Sequence, residues 1–121
     1  MMVWRLIMTP LPNIVFDDRQ ATLTMEPVGE HRVYFEGATD QLKFMIAGSL
    51  LLNPGMTPHP PHQHPEEEFM LVTEGTGEIE CDGRTTQVGP GSMMYCAGGK
   101  YHGIVNTGST PMLFYYYKWL S

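Results

Sequence analysis

The chain has 121 residues with no break in composition near its middle, a length that suits one domain spanning 1–121 around one core and leaves no room for a second. Its net charge is -6 and its seven Lys and Arg are scattered, so no basic face for nucleic acid is expected. No apolar run approaches the roughly 18 residues of a membrane span, so no membrane partner is expected either.

The opening MMVWRLIMTPLP lacks the long apolar region and small-residue cleavage site of a secretory signal, which predicts a cytoplasmic protein. In that compartment Cys81 and Cys96 are expected as two reduced thiols. Thirteen Gly and ten Pro punctuate the chain, and no stretch keeps apolar residues at helical spacing for more than about two turns. The fold class is therefore read as all-β.

After an irregular start rich in turn residues, HRVYFEG (31–37) and LKFMIAGSLLL (42–52) read as strands, the first β-branched and aromatic, the second long and apolar. Asn53-Pro54-Gly55 turns the chain, and a Pro-rich loop carries it through Pro61 in extended conformation. Strands follow at 69–73 and 77–81. Asp82-Gly83 is a two-residue hairpin signal leading into 84–88. Residues 92–96, 101–106 and 112–119 complete about eight to ten short strands, the pattern of a sandwich or barrel.

His62, His64 and Glu68 share even parity, so along an extended segment their side chains leave one face. Two imidazoles and a carboxylate suit a divalent first-row metal, which draws its fourth donor from elsewhere in the fold. His102, on a later strand preceded by Gly98 and Gly99, supplies it; glycines there let the backbone fit a crowded site. Four protein ligands on a six-coordinate metal leave two positions open, which allows either Lewis-acid or redox chemistry.

The two segments together resemble the paired metal-site motifs of the cupin superfamily. The first runs Gly55, six residues, His62-Gln63-His64, three residues, Glu68, six residues, Gly75. The second runs Gly91, five residues, Ala97-Gly98-Gly99, two residues, His102, three residues, Asn106. The spacing from the first Gly to the first His is one residue longer than usual, and Ala97 stands where the second motif has Pro. The resemblance implies a double-stranded β-helix, the jelly-roll barrel, with one divalent transition metal (Fe, Mn, Ni, Cu or Zn) held by His62, His64, Glu68 and His102 inside its wider mouth.

Met70 and Val72 continue the parity of Glu68, and Ile104 and Asn106 that of His102. Met70, Ile104 and Asn106 are therefore candidates for a substrate pocket. Tyr95 and Tyr101 have the opposite parity and should face outward. His31 and His59 lie outside both motifs and read as loop or surface residues. The tail over 112–119 is aromatic on both faces, so its outer side needs a cover: residues 3–8 of the same chain, or a second subunit. Small cupins often pair through sheet surfaces, and a homodimer is the expectation.

Two functions remain open. One is a metal-dependent enzyme acting on a small molecule, either dioxygenase-like or isomerase/lyase-like. The other is a non-catalytic, metal-containing module that binds a sugar or carboxylate. Open coordination positions in an apolar cavity favour the enzyme.

Overall fold

The computed structural model describes residues 10–121. After one turn of 3-10 helix at Asp18–Gln20, nine strands follow: β1 (Thr22–Glu26), β2 (Gly29–Gly37), β3 (Phe44–Leu52), β4 (Glu67–Glu74), β5 (Gly77–Cys81), β6 (Arg84–Val88), β7 (Met93–Cys96), β8 (His102–Val105) and β9 (Met112–Leu120). They form a six-stranded sheet in the order β1-β2-β3-β9-β4-β7 and a three-stranded sheet in the order β6-β5-β8. The strand pairs within both sheets are antiparallel. The fold is a jelly-roll barrel.

The apolar alternation of the strands decides which face turns inward. Along β4, Glu68, Met70 and Val72 are buried while Phe69 and Leu71 are less so. Along β9, Met112, Phe114 and Tyr116 are buried. These side chains meet Leu50 and Leu52 of β3, Met94 and Cys96 of β7, and Ile79 and Ile104 of the smaller sheet in one core. Each fully buried Leu, Val or Met stabilises the fold by about 1.5–3 kcal/mol, and a one-residue slip of β4 or β9 would turn that whole set outward.

The strand assignments from sequence hold to within a few residues, with one correction at the start. The segment read as irregular contains β1, whose side chains from Thr22 to Met25 are exposed. Leu23 and Met25 alternate with Thr22 and Thr24, but the run is short and neither face is buried, so the strand is held by its pairing with β2, Thr22 opposite Val33 through Glu26 opposite Gly29. The Asp82-Gly83 hairpin forms as expected, both residues at positive φ (52° and 82°) as a two-residue turn demands.

Cys81 and Cys96 are free thiols. Burial, followed by the neighbouring Cys81, pushes the Cys96 thiol up to about 12. Tyr95 and Tyr101 are exposed. On the outer face of the large sheet, Tyr115 and Tyr117 border a groove shared with Phe16 and Tyr34, whose rings pack edge-to-face at 6.4 Å. Of the two covers expected for the aromatic tail, residues 3–8 lie outside the described residues.

Candidate metal centre

His62, His64, Glu68 and His102 converge, with one donor atom from each within 4.8 Å of the others. They do not come from one continuous strand, as parity alone suggests. Only Glu68 lies in β4; His62 forms an isolated bridge with His102, its N–H donating to the His102 carbonyl (3.0 Å) and accepting the reciprocal bond (2.9 Å) through its own carbonyl. The chain then bends through Pro65 before β4 begins.

That bend is clamped by the second motif. The Gly99 N–H donates to the His64 carbonyl at 2.7 Å, and a Cβ on Gly98 would collide with the Pro65 carbonyl. The glycines that precede His102 therefore act on the segment carrying His64, which is why both motifs must meet before either ligand pair is in place.

The hydrogen bonds of the rings fix which nitrogens point inward. His64 Nδ1 lies 3.0 Å from the Glu66 carbonyl and His102 Nδ1 lies 3.2 Å from the Lys100 carbonyl. A carbonyl only accepts, so each Nδ1 carries the hydrogen and each neutral ring turns a bare Nε2 lone pair inward. Both lone pairs face the same acceptor: Glu68 Oε1 is 2.9 Å from His64 Nε2 and 2.8 Å from His102 Nε2.

His102 Nε2 is buried with no aligned hydrogen-bond partner despite that short approach. Three acceptors turned on one another at 1–3% side-chain exposure for Glu68 and His102 need a cation, either a proton or a metal, among them. The donor set is of the kind that holds a divalent transition metal, with each outer ring nitrogen braced by a main-chain carbonyl. The residues fit such an ion.

Electrostatics agree with that geometry. Burial opposes the charged form of Glu68, yet His102 and Lys118 hold its carboxyl below the usual carboxylate range. The Glu68 carboxylate holds His102 above the ordinary histidine value. Burial, together with His59 and His102, brings His62 down to about 4, so this ring stays neutral and available as a ligand at lower pH than a free histidine.

Beside the quartet lies a cavity of about 180 Å³, with Glu68, Met70, Ile104, Phe114, Tyr116 and Lys118 in its wall. Met70 and Ile104 thus line it, as parity suggests. Asn106 does not. It is fully buried, its Nδ2 donates to the carbonyls of Leu52 and Thr110 (2.9 Å each), and its Oδ1 accepts from Gly108 N–H (2.9 Å). Asn106 ties the end of β8 to β3 and to the following turn, and every polar atom of its amide is occupied.

Two histidines read as surface residues also border the cavity. His59 stacks on His62 with ring centroids 3.8 Å apart. His31 lines the same cavity, its Nδ1 3.0 Å from Glu26 Oε2 and its Nε2 2.5 Å from the Tyr116 hydroxyl. Burial and the Glu68 carboxylate push the Tyr116 phenol above its ordinary range. The alternation Met112, Phe114, Tyr116 along β9 contains the signal that Tyr116 faces inward; nothing in the spacing of residues 26, 31 and 116 shows that they meet.

Comparison with known proteins places this geometry. A family model described as a cupin domain matches residues 48–117. A curated protein from Bradyrhizobium sp., 5-nitrosalicylic acid 1,2-dioxygenase, is 29% identical over 104 residues, 86% of this chain and 48% of that protein. The chain therefore spans about half the length of the curated relative it matches. Among solved structures, an RmlC-like cupin from Shewanella frigidimarina superposes with a TM-score of 0.70 at 14% identity, covering 94% of this chain and 96% of that one. KdgF from Halomonas sp. superposes with a TM-score of 0.71 at 17% identity, covering 88% and 94%. At these identities the two structures speak to the fold alone.

Proposed function

The chain belongs to the cupin family, and on that premise we propose that it is a metal-dependent enzyme acting on a small organic molecule, with one divalent transition metal held by His62, His64, Glu68 and His102. The observation that carries this reading is the meeting of two Nε2 lone pairs on one carboxylate oxygen, an arrangement that leaves buried acceptors facing one another until a cation joins them. When bound, such a metal supplies an electrophilic centre with open positions and, for iron, copper, nickel or manganese, electron transfer.

The protein's own residues do the rest. Glu66 and Lys100 carbonyls orient two of the rings, and Leu50, Met70, Ile104 and Phe114 give the adjoining cavity an apolar wall that limits water and admits a small ligand. The dioxygenase-like branch is favoured over the isomerase or lyase branch by the relative from Bradyrhizobium, which is named as a dioxygenase of 5-nitrosalicylic acid. A homodimer paired through the outer aromatic face belongs to the same reading, and sedimentation of the purified protein at two concentrations tests it.

The deciding experiment is elemental analysis of protein purified without a metal-affinity tag, beside the His62→Ala variant. About one iron, copper, nickel or manganese per wild-type chain and none in the variant supports the oxygenase branch. Zinc in that position moves the reading to the isomerase or lyase branch. No metal in either protein, even after reconstitution, overturns the metal centre.

A further inference from the structure

The cavity has a second polar cluster beyond the quartet, made by Glu26 at the end of β1, His31 of β2 and Tyr116 of β9. We propose that these three residues form a fixed hydrogen-bond chain that turns the Tyr116 oxygen into an acceptor for the hydroxyl of a small hydroxy acid, and so select hydroxylated over unhydroxylated ligands. The inference rests on the reading of the site as a metal-dependent small-molecule enzyme and adds the ligand class and the residue that sets it.

The polarity of the chain follows from its far end. Glu26 Oε2 faces His31 Nδ1 at 3.0 Å, and a carboxylate offers no donor, so Nδ1 carries the hydrogen of the ring. The neutral ring then presents a lone pair at Nε2, and the Tyr116 O–H, 2.5 Å away, donates to it. With its hydrogen directed at His31, the phenol oxygen has only lone pairs left for the cavity. A ligand group that donates a hydrogen bond is matched there, and one that only accepts is not.

The ring itself has little freedom. Tyr116 is 7% exposed and stands opposite Gly48 of β3, where a Cβ would come within 2.6 Å of its Cζ and hydroxyl oxygen. Gly48 is the position that lets the phenol lie flat against the sheet and reach His31. The cation on this wall is Lys118, whose Nζ lies 5.4 Å from the Tyr116 ring centroid and which also lines the cavity. Lys118 provides an electrostatic partner for a carboxylate beside the hydroxyl acceptor.

Size completes the class. A cavity of about 180 Å³ is smaller than the roughly 300–1,000 Å³ of pockets for drug-sized molecules, so a single-ring or short-chain hydroxy acid fits the proposal and a polymer does not. A site built to hydrogen-bond a hydroxyl discriminates strongly against the analogue lacking it, because the buried acceptor is then left unpaired.

Two measurements test the chain. The first needs neither metal nor ligand: 15N NMR of His31 in the metal-free protein is expected to show the neutral ring protonated at Nδ1. Protonation at Nε2, alone or together with Nδ1, would make His31 the donor and Tyr116 free to donate into the cavity, which overturns the polarity argued here. The second is calorimetric binding of salicylate and benzoate to zinc-loaded protein, native, Tyr116→Phe and His31→Leu.

The salicylate-over-benzoate preference is expected to drop about tenfold in Tyr116→Phe, the worth of one buried hydrogen bond, with benzoate affinity and zinc content unchanged. His31→Leu keeps the phenol but frees its rotation, so the preference falls part of the way. An unchanged preference in Tyr116→Phe, or no binding of either acid to native protein that does hold its zinc, overturns the chain while leaving the metal centre intact. Native protein that takes up no zinc or other metal overturns the underlying reading instead, and the His31 spectrum then still judges the chain by itself.

Discussion

The His62–His64–Glu68–His102 quartet and the Glu26–His31–Tyr116 chain border one cavity and are held by different means. In the quartet, main-chain groups do the holding: the His62–His102 bridge, the Gly99 N–H on the His64 carbonyl, and the Glu66 and Lys100 carbonyls on the outer nitrogens. In the chain, side chains on β1, β2 and β9 hold one another across β3, where Gly48 supplies the space. A site built on backbone keeps its geometry when one side chain changes, whereas a side-chain network loses the partners of whichever member is removed. The quartet should therefore tolerate loss of its surroundings better than loss of a ligand, and the chain should respond to each member.

The largest effect is expected at the quartet. His102→Ala removes its most buried ring and should lower bound metal from about one per chain to less than about a tenth, read by elemental analysis. His59→Ala, which removes only the ring stacked on His62, should leave that count unchanged. Equal loss in both variants would contradict the ligand assignment.

Next comes the clamp. Gly98→Ala places a methyl group on the Pro65 carbonyl, and a forced backbone shift of this kind costs about 1–3 kcal/mol, measurable by denaturant unfolding of the metal-free protein. The same variant should also bind metal more weakly, because His64 and the loop before His102 move apart. Full metal affinity at reduced stability would separate the clamp from the centre.

A pH series on metal-free protein sharpens the electrostatic side. His62 titrates near 4 in the fold and at its ordinary value of 6.5 when unfolded, so the unfolded state takes up its proton first as pH falls. The stability tied to a neutral His62 is complete above about pH 6.5 and is lost between there and about pH 4. His102, raised by Glu68, works in the opposite sense, so the comparison to make is native against His62→Ala. The stability of the native protein relative to that variant should decline through this window; a flat difference would place His62 in a more open setting.

The smallest effect belongs to the Glu26–His31–Tyr116 chain. Tyr116→Phe deletes one hydroxyl and leaves His31 Nε2 without its partner, a loss of about 0.5–1.5 kcal/mol by thermal or chemical unfolding, with the metal count unchanged. A drop in metal content would mean that the two walls are coupled through the core they share.

What sequence reading reached, and where it stopped, follows the same division. His62, His64, Glu68 and His102 stand out because their spacing is local: seven residues hold the first three, and the glycines before the fourth mark a tight loop. The alternation of β4 and β8 likewise exposes Met70 and Ile104 to the cavity, since period-two burial is written into neighbouring residues. Asn106 shows the limit of parity. It has the position of a pocket residue, yet its amide is consumed by Leu52, Thr110 and Gly108, and no rule of alternation says whether an inward polar group meets a ligand or a main chain.

By itself the sequence determined the all-β class, the strands with a buried face, the hairpin at Asp82-Gly83 and the four side chains of the quartet, all of them properties carried by residues a few positions apart. Tertiary structure alone decided that β1 is a strand, that Pro65 breaks the expected run from His62 to Glu68 while Gly98 and Gly99 repair it, and that residues 26, 31 and 116 meet. Those outcomes depend on pairing and register between strands, β1 against β2 next to it and β3 against β9 some sixty residues away. Register is fixed by the sum of many cross-strand contacts rather than by any local spacing.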